Sequence, residues 1–241
     1  MAEEQRQFDE AVRHYRLSLK LELRHGDRRG AASTFHQLGI VAQYQHRFER
    51  AAKYYRKAIV LMRKHGDRHG AASTYYQLGR LAEEQDRFDE AAGNYRQALA
   101  IALDYGDRRG MGLLYNQLGS VSEAQGQFEE AVRYYRLSLD IKLAFGDWHR
   151  AATTYHQLGN LMYRSGRYEE SLDYYLNALP ISAEAGDDGH SAGITLRNLA
   201  RLWRAWGNDI VITRTAEVTG QTPGELHALF EQVPPDDLTT P

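Results

Sequence analysis

The chain is predicted to be all-α, a solenoid of stacked antiparallel helix hairpins, and three periodic observations predict it. Gly-Asp pairs recur every 40 residues, at Gly26-Asp27, Gly66-Asp67, Gly106-Asp107, Gly146-Asp147 and Gly186-Asp187. An aromatic residue recurs at the same interval, as Phe8, Phe48, Phe88, Phe128 and Tyr168. So does a Leu-Gly pair, at Leu38-Gly39, Leu78-Gly79, Leu118-Gly119 and Leu158-Gly159. A fixed period of this size marks a repeat array, in which each unit buries its apolar face only against its neighbours.

The elements follow in order. Residues 1–26 hold half a repeat: Phe8, Ala11, Tyr15 and Leu19 match the second helix of the unit, with no first helix before them. Full units are expected at 27–66, 67–106, 107–146 and 147–186. In the first, Gly26 ends one helix and Asp27 caps the next. Phe35, Leu38 and Ala42 then fall on one stripe of a helix A. A polar break at Gln45-His46-Arg47 follows, with Asp86, Gly126 and Gly166 at the turn position of later copies. Helix B starts near Phe48 and shows an apolar face of Ala51, Ala52, Tyr55, Ala58, Ile59 and Met62. Its first turn is acidic in every full copy, which opposes the positive end of the helix dipole. A glycine inside helix A costs about 1 kcal/mol against alanine. The expected reason is close approach, with Gly39, Gly79, Gly119 and Gly159 set against Ala51, Ala91, Ala131 and Ser171, and with tyrosines 15, 55, 95, 135 and 175 wedged between hairpins. Residues 187–207 read as a degenerate helix A with Asn198-Leu199-Ala200, and residues 208–233 as capping helices. Thr222-Pro223-Gly224-Glu225 opens the last of these. Residues 234–241 read as a disordered tail.

Composition narrows the function. The 241 residues carry 30 basic and 32 acidic side chains, a net charge of -2, which offers no bulk attraction to nucleic acid or an anionic membrane. There is no cysteine, hence no disulfide and no thiolate metal site. The sequence contains no long apolar run and no signal-peptide pattern, so a cytoplasmic protein is expected. Nucleophile-elbow, phosphate-loop and zinc-protease motifs are missing, so neither catalysis nor a cofactor is expected. His65 and His69 are four apart but straddle a Gly-Asp connector, so helical metal spacing does not apply. Arg28-Arg29, Arg68 and Arg108-Arg109 line one edge beside aspartates and read as a solvated edge.

The order aromatic-x-x-Leu-Gly followed by Ala-x-x-x-Tyr-x-x-Ala, carried first by Phe35, Leu38, Gly39, Ala51, Tyr55 and Ala58, resembles the tetratricopeptide repeat. The period exceeds that family's usual length of about 34 residues. The longer form is similar to the repeats of kinesin light chain, of Pins/LGN polarity adaptors and of bacterial signalling ATPases. The resemblance covers about residues 8 to 207. It implies a right-handed superhelix whose helices A line an inner wall, where a protein or peptide partner lies.

In that register a carboxamide column precedes the leucines: Gln37, Gln77, Gln117, Gln157 and then Asn198. A carboxamide both donates and accepts, so an even row can pair with the backbone of an extended peptide. The longer-repeat relatives often carry asparagine there, and the role comes to these glutamines by that likeness. Selectivity is expected from inner positions that vary: His36, Tyr76, Asn116 and His156, then Ile40, Arg80, Ser120, Asn160 and Arg201. Further along lie Gln43, Glu83, Glu123 and Tyr163, beside Tyr44, Glu84 and Arg164. The pattern is acidic at Glu83, Glu84 and Glu123 and basic at Arg164, Arg197 and Arg201.

The half repeat at the start leads to the expectation of a piece of a longer protein, such as the sensor or oligomerisation arm of a bacterial signalling ATPase of the STAND type. The rival is that the lone helix is itself a cap. That helix is also expected to offer a self-association surface. Ala216 to Leu226 has the spacing of a helix-turn-helix. Its would-be reading helix, Glu225 to Glu231, has acid and no lysine or arginine, which opposes DNA binding.

Overall fold

The computed structural model describes residues 2–184 and 190–234; Gly186-Asp187 and the tail from residue 235 lie outside the described residues. Twelve helices and no strand occur among the described residues. They are α1 (Ala2–His25), α2 (Arg28–Tyr44), α3 (Phe48–Lys64), α4 (Arg68–Glu83), α5 (Phe88–Tyr105), α6 (Arg108–Ala124), α7 (Phe128–Ala144), α8 (Trp148–Arg164), α9 (Tyr168–Glu184), α10 (His190–Trp206), α11 (Ile210–Thr219) and α12 (Pro223–Gln232). The chain divides into two compact units, Met1–Ala131 and Val132–Pro241, with the division inside α7.

In the first unit, α1 packs on α2, and the hairpins α2–α3 and α4–α5 stack in sequence order with α6 following. Each hairpin opens on an aspartate cap. Asp27, Asp67 and Asp107 accept the amide of the residue three on, Gly30, Gly70 and Gly110, at 2.8, 2.9 and 2.9 Å. The glycine matters because a Cβ on Gly70 would stand 2.5 Å from the Asp67 carboxylate. Where Arg150 takes that place, after Asp147, the bond stretches to 3.4 Å. Connectors between hairpins close with a left-handed glycine, as at Gly106, where φ is 65°. The turns inside hairpins also need a left-handed residue, which is His46 or Asp86 in two copies, each with φ 54°, and glycine at 126 and 166.

The core is a column of small residues around one tyrosine per hairpin. Tyr55 and Tyr95 are fully buried, and Tyr55 packs in one cluster with Ala51, Ala52, Ile59 and Leu81. A buried aromatic of this size removes ~150–250 Å² from water, roughly 4–6 kcal/mol of gross hydrophobic stabilisation. The mid-helix glycine has a different counterpart from the one expected. A Cβ on Gly39 would lie 2.5 Å from the Tyr55 ring, and on Gly79 2.6 Å from the Tyr95 ring. The missing side chain thus makes room for the tyrosine of the same hairpin, so the ring stands inside the hairpin instead of only between hairpins. The small residue opposite still contributes in the second unit, where Ser171 Oγ donates to the Gly159 carbonyl at 2.8 Å.

The second unit repeats the plan in α8–α9, with Tyr175 against Gly159, and ends in a different core. Leu199, Leu202, Val211, Ile212, Leu226 and Phe230 are all buried together, so α11 and α12 spend their apolar faces on α9 and α10. Thr222 and Glu225 form a reciprocal capping box at the start of α12. Arg204 closes its other end by donating to the carbonyls of Phe230, Glu231 and Val233. No helix among the described residues is long and apolar enough to cross a membrane.

Candidate functional site: the exposed faces of the first helix of each hairpin

Helix α2 buries Phe35, Leu38 and Ala42 and leaves a stripe through Ser33, Gln37 and Tyr44 exposed. In α4 the corresponding stripe holds Ser73, Gln77 and Arg80, continued by the C-cap Glu84, and in α6 it holds Leu113, Gln117 and Ala124. Spacings of three and four residues put each set on one helical face. The sequence-predicted column therefore falls on the solvent side of the first unit, with Gln37 exposed and Gln77 and Gln117 half-buried. Gln117 Nε2 reaches the Tyr95 hydroxyl at 3.4 Å. Among the described residues the side chains of Gln37 and Gln77 make no hydrogen bond.

The tyrosine hydroxyls tie the stripe to the core, a feature that sequence reasoning missed. Tyr55 donates to Gln43 Oε1 at 3.0 Å, and Gln43 Nε2 donates to Glu84 Oε1 at 2.7 Å. Tyr95 donates to Glu83 Oε2 at 2.7 Å, while Ser120 donates to Glu83 Oε1 at 3.2 Å. Glu83 thereby joins α4, α5 and α6, and what it presents outward is charge more than free lone pairs. Burial pushes the Tyr55 and Tyr95 phenols well above their ordinary range. Arg80 pairs with Glu84 at 3.6 Å. Tyr76 and Asn116 are half-buried, and the Tyr76 ring stands 5.9 Å from that of Tyr95. His36 Nδ1 lies 2.9 Å from Thr74 Oγ1, whose proton goes to the Gly70 carbonyl at 2.8 Å. That assigns the Nδ1–H tautomer to His36, and burial holds its pKa below the usual value. Glu123 is half-buried.

In the second unit, Gln157 is half-buried and its Oε1 is enclosed without a hydrogen-bond partner. Tyr175 donates to Asn160 Oδ1 at 2.7 Å. His156 Nε2 lies 2.6 Å from Thr195 Oγ1, and burial again lowers its pKa. Arg201 stacks its guanidinium 5.0 Å from the Tyr163 ring centroid. Asn198 is half-buried, while Arg164 and Arg197 are exposed. The structure thus gathers Asn160, Tyr163 and Arg201 around the Tyr175 end of the unit. The arginines of the edge, Arg28, Arg29, Arg68, Arg108 and Arg109, are all exposed, and Arg68 pairs there with the exposed Asp104 and lies over Tyr105. No group of metal-ligating side chains occurs among the described residues.

Hairpins with a glycine-tyrosine lock, a left-handed connector and an exposed helix face define a repeat protein. The tetratricopeptide repeat family matches residues 1–64, 31–104, 70–144, 110–181 and 150–209, and the chain belongs to that family. No curated protein matches the sequence. Among solved structures it is similar to BtubC (BKLC) from P. vanneervenii, with a TM-score of 0.73 and 21% identity over 98% of this chain and 96% of that one. It is similar to a putative kinesin light chain from Podospora anserina with nearly identical repeats, with a TM-score of 0.62 and 17% identity over 83% and 96%. It is also similar to a signal transduction ATPase with numerous domains (STAND) and a tetratricopeptide repeat sensor from Pyrococcus horikoshii, with a TM-score of 0.67 and 18% identity over 83% and 32%. These likenesses support the all-α repeat fold.

Proposed function

We propose that the protein is a non-catalytic interaction module that holds an extended segment of a protein partner on the exposed faces of its first-of-hairpin helices. In the first unit Gln37, Gln77 and Gln117 pair with the backbone of such a segment, and in the second unit Gln157 and Asn198 offer the same kind of pairing by themselves. The observation that carries this reading is that Gln37 and Gln77 stand in register on the solvent side with their amides unspoken for. The side chains around the column, among them Arg80, Glu83, Glu123 and Tyr163, select the partner. Work in the cytoplasm is part of the proposal.

Selection of random peptides on the protein tests it. The expected result is enriched peptides whose affinity falls about tenfold in a Gln77→Ala/Gln117→Ala variant with an unchanged circular dichroism spectrum, two hydrogen bonds being worth about 1–2 kcal/mol. Unchanged affinity would remove the column from the site.

A second reading, the sensor arm of a larger STAND-type ATPase, is favoured by the likeness to the Pyrococcus horikoshii protein. It uses the same surface and predicts a nucleotide-binding domain encoded in the same gene. DNA binding through α11 and α12 has less support, since their apolar faces are spent on α9 and α10.

A further inference from the structure

The junctions between hairpins share a device. A long side chain from the last turns of one hairpin crosses to a threonine in the first turns of the next. Thr34 Oγ1 donates to Glu22 Oε1 at 2.9 Å. Met62 Sδ lies 3.4 Å from Thr74 Oγ1. In the second unit, Lys142 Nζ donates to Thr154 Oγ1 at 2.5 Å.

At the junction of α5 and α6 both members change. Ala102 stands where the three junctions above carry Glu22, Met62 and Lys142 and the last copy carries Ser182, and Leu114 stands where those three carry Thr34, Thr74 and Thr154. Alanine is too short to cross, and leucine offers no hydroxyl to reach for. The space left is a cavity of about 210 Å³ walled by Ala98, Ile101, Ala102 and Leu114, with the exposed Ser73 and Leu113 on its rim. That is smaller than the ~300–1,000 Å³ of pockets for whole small ligands, and it suits one side chain.

Position says whose side chain. Ser73 and Leu113 lie one helical turn before Gln77 and Gln117 on the same exposed faces, so the cavity is continuous with the proposed groove. Glu83 and Glu123 follow ten residues further along the same helices, ~15 Å at 1.5 Å per residue.

We propose that this cavity is the anchor site for an aliphatic side chain, of leucine, isoleucine or methionine size, from the bound peptide, and that a lysine or arginine of the same peptide meets Glu83 and Glu123. The proposal rests on the peptide-groove reading and names its ligand. Anchors that fill a pocket carry a large share of interface affinity.

The test selects random peptides on the full chain and measures their binding to three variants. Ala102→Met fills the cavity with the side chain that Met62 already places at the equivalent junction, so its melting midpoint is expected at or above wild type. Leu113→Ser alters only the exposed rim and stands in if the first variant misfolds. The expected result is enriched peptides carrying an aliphatic and a basic residue, with affinity reduced about tenfold or more by Ala102→Met and clearly by Leu113→Ser. Peptides weakened by Gln77→Ala/Gln117→Ala but bound equally by both cavity variants would overturn the anchor and leave the groove reading standing. Peptides indifferent to all three variants, or no enrichment at all, would overturn both.

Discussion

The α3–α4 junction and the α5–α6 junction are built on one backbone plan, with the same left-handed connector and the same aspartate cap, and among the side chains that differ two face each other across the junction. Met62 meets Thr74 at the first and fills it. Ala102 meets Leu114 at the second and leaves a hollow beside the exposed face. The difference teaches that a repeat array keeps its fold in what it repeats and its individuality in what it does not. Caps, connectors and tyrosines set the hairpins, while junction side chains decide where a surface has relief.

The comparison can be broken most directly by making the filled junction resemble the hollow one. Met62→Ala should cost about 2–4 kcal/mol in chemical denaturation, as large-to-small changes at buried sites do. A loss below about 1 kcal/mol would show that the hairpins collapse to close such gaps, and that side-chain length alone does not explain the hollow at Ala102.

A third junction sharpens the point with charge. Lys142 is 8% exposed, and burial pushes its ammonium down to about 8, with Asp147 opposing the shift and Arg150 adding to it. An unfolded lysine titrates near 10.4. Between those values the unfolded chain binds more protons, so stability should rise with pH across the window, by roughly 1–3 kcal/mol. Denaturation midpoints between neutral and alkaline pH measure it. Lys142→Met, which copies Met62, should flatten that rise, and a rise that persists would place its origin elsewhere.

The smallest effect concerns the turns inside hairpins, where the copies differ without consequence for shape. Asp86 holds φ 54° where Gly126 holds 73°. A left-handed non-glycine residue costs ~1–2 kcal/mol, partly offset by the greater chain entropy of glycine. Asp86→Gly should gain about 0.5 kcal/mol by thermal melting. A loss would mean that the aspartate side chain earns its place.

Much of this was legible before any coordinates. The apolar face read for the second helix of the first full unit, Ala51, Ala52, Tyr55, Ala58, Ile59 and Met62, is the buried set of α3, because a period of 3.6 residues identifies a face without reference to its partner. The same logic does not say which residue stands opposite across a hairpin. Register alone sets Gly39 against Ala51, whereas the Tyr55 ring is what its missing Cβ admits. The glutamine column was visible as a register, whereas the Tyr95–Glu83–Ser120 tie was not, since it joins three helices at distances that no single helix's periodicity encodes. The hollow lay in between: Ala102 and Leu114 depart visibly from the other copies, but that two departures meet across a junction is a fact of packing.

The aspartate caps have a consequence for how such a chain can change over generations. Each hairpin carries its own start signal, so recombination between repeats can add or remove 40 residues without designing a new interface. A gene that lost residues 67–106 would retain every kind of cap and lock, yet it would bring Met62 opposite Leu114. Its product would fold as a shorter array and, in that one event, would forfeit the hollow.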